Sequence, residues 1–312
     1  MTVDKNYFPG FVRKSISFTI DDGNLVLDKK FIDIVNKGGI KGTFNLCLPD
    51  LKNHTSEFYR ELYRGFGISN HCKLHPFAFT PDKPTDISED AFDEQTADAA
   101  KLYRVDGQEG MYYYRTANGW RKVADDATYC RLVSECHAAL EDVFGKGSIT
   151  TYVWPYCEQN NAAVQDYVMN KCGYVAVRKT GATADKTGFA VPADRMHWSY
   201  NANHQNLTEC AAAFDSFEDD GELKFFCFGV HSHDFERANC WNILEDFTEK
   251  YGNRESDFWY ASVEDIFAYA DAVKQLKITD NTVENPTEIP LYSKIDGKET
   301  VIAPKTVLNF GT

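Results

Sequence analysis

Four short stretches of this chain place acidic and imidazole side chains where acid–base or metal chemistry is possible. Asp21-Asp22-Gly23 closes an apolar run. Two adjacent carboxylates at a strand's end point opposite ways along the backbone, so one can hold a cation while the other faces a reacting group. The same tripeptide is also a common turn. His71 and His75 stand four residues apart, a spacing that puts two imidazoles on one face of a helical turn and suits a transition metal. No Glu follows His71, so this is not the H-E-x-x-H metalloprotease pattern. Trp154-Pro155-Tyr156 and Phe228-Gly229-Val230-His231-Ser232-His233 each end an apolar run. A His so placed is either a buried, hydrogen-bonded imidazole or an acid/base. A catalytic zinc takes three protein ligands and keeps a place for water. The two His therefore need one more donor, and Asp22 can supply it.

Apolar runs and helix-period segments alternate, and this alternation is what must position those residues. Strands are expected at 16–20, 42–47, 67–70, 149–153, 174–178, 223–230 and 258–261. Helices are expected at 27–37, from Thr55, and at 127–144, 161–171, 208–218, 240–250 and 262–274. Gly38 and Gly39 end the first helix, and Ser262 with Asp265 forms a capping pair for the last. Seven strand–helix units predict an α/β fold with parallel strands, close to a (β/α) barrel with one unit missing. Active sites of such barrels gather at the C-terminal ends of the strands. Asp21, Asp22, His71, His75, Tyr156 and His231 all fall within a few residues of such ends.

Two regions break the rhythm. Residues 81–126 are acidic and loop-like, with a hairpin expected over Met111–Arg115, a turn at Asn118-Gly119, and Trp120–Val123. They form an insertion in a barrel spanning 1–276, either a substrate wall or a solvated decoration. Residues 277–312 carry Pro286, Pro290, Pro304 and the hairpin signal Asp296-Gly297. They predict a small β appendage, too short to stand alone and so packed on the barrel.

Composition narrows the function classes. The 312 residues hold 43% hydrophobic and 14% aromatic residues, enough for a real core and too many for a disordered chain. Apolar runs reach about half a dozen residues against the roughly 20 a membrane span needs, so no integral membrane association is expected. With 33 Lys+Arg against 47 Asp+Glu, the net charge of −14 argues against nucleic acid as a partner. The nine cysteines are an odd number with no C-x-x-C pair, and they read mainly as free thiols. The thiols and the lack of a visible leader favour the cytoplasm.

Taken in order, the motifs resemble those of the polysaccharide deacetylases with a NodB-like domain, carbohydrate esterase family four, in a divergent branch. Thr19-Ile20-Asp21-Asp22-Gly23, Gly39-Ile40-Lys41-Gly42-Thr43-Phe44-Asn45, Asn70-His71-Cys72-Lys73-Leu74-His75, Val153-Trp154-Pro155-Tyr156 and Phe228-Gly229-Val230-His231 carry the resemblance, over roughly residues 7–274. It implies a distorted (β/α)7 barrel and a hydrolase that removes N- or O-linked acetyl groups from an acetylated carbohydrate. Asp22, His71 and His75 would bind a divalent metal, most often zinc. Asp21 would be the general base toward the attacking water, the backbone N–H of Tyr156 an oxyanion donor, and His231 the general acid. Trp154, Pro155, Trp198 and Phe228 would line the substrate site. The family habit also places members outside the cytoplasm, against the thiol argument, so localisation stays open.

The sequence departs from the family at several points. Val153 stands where the family has an arginine that holds the base carboxylate, and Arg195 or Arg178 is the candidate replacement. Cys72 replaces a small hydroxyl residue and is expected to pack rather than ligate. The fourth motif is only suggested by Asp194 to Trp198. His233 is a rival acid, because strand alternation would put it on the same side as His231. Two other functions stay open: a metal-dependent amidohydrolase-like enzyme acting on a small cyclic amide, and a non-catalytic carbohydrate-binding protein, for which the missing arginine and the appended segment argue. The sugar, the linkage and the oligomeric state are not legible.

Overall fold

A computed structural model describes residues 1–79, 84–87, 91–105, 107, 109–116, 119–159, 161–184 and 187–310. The expected turn residue Asn118 lies outside these. The chain opens with an edge strand, β1 (Val3–Tyr7), and enters the central sheet through β2 (Lys14–Asp22), β3 (Thr43–Leu46) and β4 (Gly67–Asn70). Helices α1 (Leu25–Val35) and α2 (Ser56–Leu62) separate them. Asn24 caps α1 through a 3.2 Å bond from the Leu27 N–H, and Thr55 caps α2 in the same way. A 3₁₀ turn over Asn36–Gly38 then ends at Gly39, whose φ of 65° reverses the chain as glycine permits.

The region expected to be loop-like is a sheet. Strands β5 (Phe77–Ala78), β6 (Pro84–Ile87), β7 (Leu102–Val105), β8 (Met111–Thr116) and β9 (Gly119–Ala124) are ordered β5-β9-β8-β7-β6. The β8–β9 hairpin pairs Met111 with Ala124 and Arg115 with Trp120. The sheet starts at Phe77, ahead of the expected boundary, because β5 pairs with β9 in parallel.

Helix α3 (Asp126–Phe144), capped by Asp125, leads back to β10 (Thr151–Val153) and β11 (Ala176–Arg178). Between them the expected helix is split into α4 (Ala162–Asp166) and a π-helical turn at Tyr167–Lys171. Helix α5 (Leu207–Asp215), strand β12 (Lys224–His231), helices α6 (Ser232–Arg237) and α7 (Trp241–Tyr251), strand β13 (Phe258–Tyr260) and helix α8 (Val263–Lys274) complete the barrel. Residues Lys224–Val230 of β12 are all buried, the pattern of a strand covered on both faces.

The central sheet has seven parallel strands, with the order β11-β10-β4-β3-β2-β12 and β13 also on β2. Because β12 holds one edge of β2 from Lys14 to Asp21, β13 and β3 share the other: β13 takes Lys14–Ile16 and β3 takes Thr19–Asp22. The ring closes through an irregular segment. Val177 and Lys179 donate to the carbonyls of Arg195 and Trp198, while Asn201 donates to Cys227 and Gly229 to Ala202. Residues 195–202 thus stand between β11 and β12 in place of a regular strand. The fold is a distorted (β/α) barrel.

The C-terminal residues add β14 (Lys277–Ile278), β15 (Thr282–Asn285), β16 (Leu291–Ile295), β17 (Lys298–Ile302) and β18 (Thr306–Asn309). β14, β15 and β18 form a three-stranded sheet of their own, while β16 and β17 share a second with β1, where Val3 stands opposite Ile295. Val283, Leu291, Ile295 and Ile302 join Phe8, Phe225, Phe267 and Tyr269 in one core cluster. The larger core lies beneath α1, α3, α5 and α7, with Phe18, Phe31, Phe44 and Phe228 at its centre.

Candidate metal centre and active site

Parallel register sets Asp21 beside Asn45 of β3 on one side and His231 of β12 on the other. Asp22 follows at a φ of 79°, which turns its side chain out of the strand's alternation. The His71–His75 segment is not a helical turn, contrary to its spacing. Cys72, Leu74 and His75 have φ of 60°, 66° and 50°, and this run of left-handed residues folds the two imidazoles together. Asn70 braces the start of that turn by accepting from the Cys72 N–H at 2.8 Å and donating to the Val133 carbonyl at 2.9 Å. Among the described residues, five of the eleven non-glycine residues with positive φ (Asp22, Cys72, Leu74, His75 and Tyr156) surround one point of the barrel mouth. Strained backbone of this kind costs on the order of 1–3 kcal/mol per residue and concentrates at functional sites.

The Asp22 Oδ1 atom lies 3.5 Å from His71 Nε2 and 3.6 Å from His75 Nε2. Two ligands about 2.0–2.1 Å from a tetrahedral zinc lie about 3.3–3.4 Å apart, so these two edges are close to those of a zinc tetrahedron. Asp22 Oδ1 and His71 Nε2 are both buried with no hydrogen-bond partner among the described residues. Buried polar atoms are ordinarily paired, and an ion between these would satisfy both. The His71 Nδ1–H donates to the Val153 carbonyl at 2.9 Å, which turns the Nε2 lone pair toward Asp22 in the orientation a metal ligand needs. Burial and the neighbouring His71 push His75 down to about 4, so it is neutral at pH 7. Burial opposes ionisation of Asp22, but the imidazoles of His71, His231 and His75 around it hold its carboxyl well below the usual carboxylate range. Cys72 lies in the core and does not join this group.

Asp21 is buried in front of a cation. Arg178 of β11 donates from Nη2 to Asp21 Oδ1, and Asn45 Nδ2 donates to the same oxygen at 2.7 Å. Burial favours the neutral acid, but Arg178, His71 and His231 hold the Asp21 carboxyl below its ordinary range. Among the described residues no hydrogen bond engages Oδ2, which remains the basic atom. Of the two candidate arginines, then, it is Arg178 that meets Asp21. Arg195 pairs instead with Asp271 at 3.1 Å and lies over Phe267. Val153 and Arg178 are direct partners across β10 and β11. The guanidinium thus reaches the carboxylate from the neighbouring strand rather than from the motif position.

His231 ends β12, and its Nε2 is 3.7 Å from Asp22 Oδ2. Its Nδ1 meets Asp234 Oδ2 at 2.9 Å. Burial would lower its pKa, but Asp234, Asp21 and Asp22 outweigh that and raise it to about 9. The imidazole is therefore a proton donor at neutral pH. His233 does lie beside His231, with rings stacked at 4.7 Å. Strand alternation is not the reason, because the strand stops at His231 and His233 belongs to the first turn of α6. Tyr156, at a φ of 60°, sets its ring edge-on to His75 and flat on Phe77 at 4.5 Å. The β5–β9 sheet therefore forms one wall of the mouth, and Arg121 of β9 reaches over the Tyr156 ring.

The proposed substrate-lining aromatics are placed otherwise. Trp154 and Phe228 are 0% exposed in the main core and Trp198 is 4% exposed against Phe225 and Phe267. None presents a face to a sugar. Trp154 packs on Tyr129 and Tyr152, and Phe228 on Phe18, Phe31 and Phe247. Pro155 is buried too and acts by stopping β10 ahead of the Tyr156 turn. Sequence reasoning missed Asn45 and Asp234. The Asp three residues after His231, at the start of a helix, was a readable capping signal.

The profile of the polysaccharide deacetylase family matches residues 10–177, and the chain belongs to that family. Its barrel is similar to a candidate polysaccharide deacetylase from Mycobacterium smegmatis at 15% identity and a TM-score of 0.50, covering 88% of this chain and 96% of that one. A family 4 acetyl xylan esterase from Clostridium thermocellum in complex with a cobalt ion is 13% identical, with a TM-score of 0.43 over 81% of this chain and 90% of that one. A peptidoglycan deacetylase from Bacillus subtilis is 12% identical, with a TM-score of 0.44 over 84% and 95%. No curated protein matches the chain. The protein is a hydrolase of the polysaccharide deacetylase class.

Proposed function

We propose that this protein removes acetyl groups, N- or O-linked, from a carbohydrate in a reaction that needs a divalent cation, with zinc the first to test. One observation carries the reading: the orphaned Asp22 Oδ1 and His71 Nε2, with His75, face one point between a buried carboxylate and a protonated imidazole. A cation held by Asp22, His71 and His75 supplies Lewis acidity, which lowers the pKa of water and polarises an acyl carbonyl. Asp21, kept ionised by Arg178, takes the proton from the attacking water at Oδ2. The backbone N–H of Tyr156, aimed by the left-handed turn after Pro155, donates to the developing oxyanion. His231, oriented by Asp234, gives its Nε2 proton to the leaving amine or alcohol. The Arg178–Asp21 pair answers the missing motif arginine, which was the main argument for a non-catalytic role.

The test is acetate release from acetylated chito- and xylo-oligosaccharides by the metal-loaded chain, beside metal analysis of wild type and the His71→Ala/His75→Ala variant. Bound metal near one equivalent, lost in the variant, together with acetate release is the expected result. A metal-free wild type, or no release from any acetylated glycan in the presence of metal, overturns the reading. Asp21→Asn and His231→Ala should each slow release about 10²–10⁴-fold, the usual worth of one positioned proton transfer.

A further inference from the structure

Asp22 has two faces, and the proposed reaction uses one for metal. Oδ1 looks toward His71 and His75; Oδ2 looks toward His231, 3.7 Å from its Nε2. His233 completes a second group: ligand atoms of Asp22, His231 and His233 also lie within 4.8 Å of one another. No step of the proposed reaction uses His233. Asp234 braces the His231 ring, with Oδ2 on Nδ1 at 2.9 Å, and its Oδ1 lies 3.7 Å from His233 Nε2. A carboxylate behind an imidazole is the support that metal-ligating histidines usually have. The His233 side chain keeps 23% of its surface in solvent, so an ion can enter from that side. The 3.7 Å edge needs to close by only about 0.3 Å to match neighbouring ligands of a tetrahedral ion.

We propose that Asp22, His231 and His233 form a second, weaker site for a borderline divalent cation such as Zn2+, and that its occupation inhibits the enzyme. This rests on the functional reading above, in which the first cation sits on the other face of Asp22. Two imidazoles and one carboxylate select zinc, copper or nickel over magnesium and calcium, which prefer all-oxygen shells. Asp22 then bridges two cations through its two oxygens. The inhibition follows from atom identity. The Nε2 of His231 that donates a proton to the leaving group is the same atom that would ligate the second ion, and one nitrogen cannot do both. Activity should therefore rise as the first equivalent binds and fall as the second does.

The experiment starts from metal-stripped full-length protein and counts bound zinc by equilibrium dialysis from nanomolar to millimolar free Zn2+, with acetate release read at each point. Wild type should bind two equivalents in separated steps, and release should fall tenfold or more from its maximum as the second fills; millimolar Mg2+ should not produce the fall. His233→Ala should bind one equivalent, and its release at high zinc, referred to its own maximum, should not fall. Only one equivalent in wild type at every concentration, with that one lost in His71→Ala/His75→Ala, overturns the second site and leaves the functional reading standing. No bound zinc in wild type overturns both. A second equivalent that persists in His233→Ala and His233→Gln places the ion elsewhere and also overturns the proposal. Should the variants fail to fold, zinc anomalous scattering from wild-type crystals decides: two peaks flanking Asp22 support the proposal, and a single peak overturns it.

Discussion

The transferred arginine gives the sharpest test of the active-site architecture. Arg178 is 1% exposed, and its charge is matched by Asp21 at the point where Asn45 also donates. Replacing Arg178 with Met keeps an unbranched apolar stem and removes the cation. Asp21 is then left buried with only the Asn45 amide, a situation that costs about 3–5 kcal/mol when one partner of a buried pair is lost. Against a typical stability of about 5–15 kcal/mol, all but the least stable domains survive that loss, and the unfolding curve shows whether the variant can be assayed. Urea unfolding followed by circular dichroism should show the drop, and acetate release should fall at least a hundredfold. The decisive arm is the swap Val153→Arg/Arg178→Val. Parallel neighbours in register face the same side of the sheet, so an arginine at 153 starts from the same layer. The swap should recover most of the stability and at least tenfold of the activity lost by the single change. Arg178→Met unfolding within 0.5 kcal/mol of wild type, or a swap no better than the single variant, would refute the claim that this guanidinium holds the base.

Asp234→Asn keeps the bond to His231 but loses the charge behind it; acetate release should fall about a hundredfold or more while zinc bound at Asp22, His71 and His75 stays at one equivalent by metal analysis. Glu264, whose Oε2 accepts from Thr43 at 2.6 Å, is raised by burial to about 7. Its folded pKa lies above the unfolded value of 4.5, so folding takes up a proton between the two, and stability falls as pH rises through 7. Glu264→Gln should remove that fall and leave the variant about 1–3 kcal/mol more stable than wild type at pH 8, the carboxyl being partly shielded; equal urea midpoints at pH 8 would contradict it. In Gly229→Ala the new Cβ would lie 2.3 Å from the Tyr200 ring, which packs under Arg178. That overlap should cost about 1–3 kcal/mol in thermal or urea unfolding. Trp198→Phe should lower stability and leave KM for an acetylated oligosaccharide unchanged, since the ring packs on Phe267 and not on the cleft.

The barrel strands were readable because a strand buried on both faces is an unbroken apolar run, as in Phe225–Phe228, and such runs recurred with helix-period segments between them. The carboxylates and imidazoles were readable from their places at the ends of those runs. What escaped was information that a linear pattern does not carry. The convergence of His71 and His75 depends on left-handed conformations at Cys72, Leu74 and His75, and no glycine there announces them. The choice of Arg178 over Arg195 depends on which residue faces Val153 across two strands. The burial of Trp154, Trp198 and Phe228 depends on what packs against them from distant helices. The sheet at 77–124 was hidden because its strands are short and its polar residues alternate with aromatics whose partners lie within the same insertion.

The pairing of β1 with β16 joins Val3 to Ile295, nearly opposite ends of the chain. During synthesis at about 5–20 residues per second, the first strand would emerge roughly 15–60 seconds before its partner exists. Over that interval Phe8 and Val12 lack the covering side chains of Leu291 and Ile295, and an unpaired edge is open to other nascent chains. The barrel can close from β2 onward without waiting, but the cluster around Phe8 and Val12 is covered only once β16 has been made. This contact therefore forms late relative to the barrel, and the interval before it is when the chain is most exposed to misassembly.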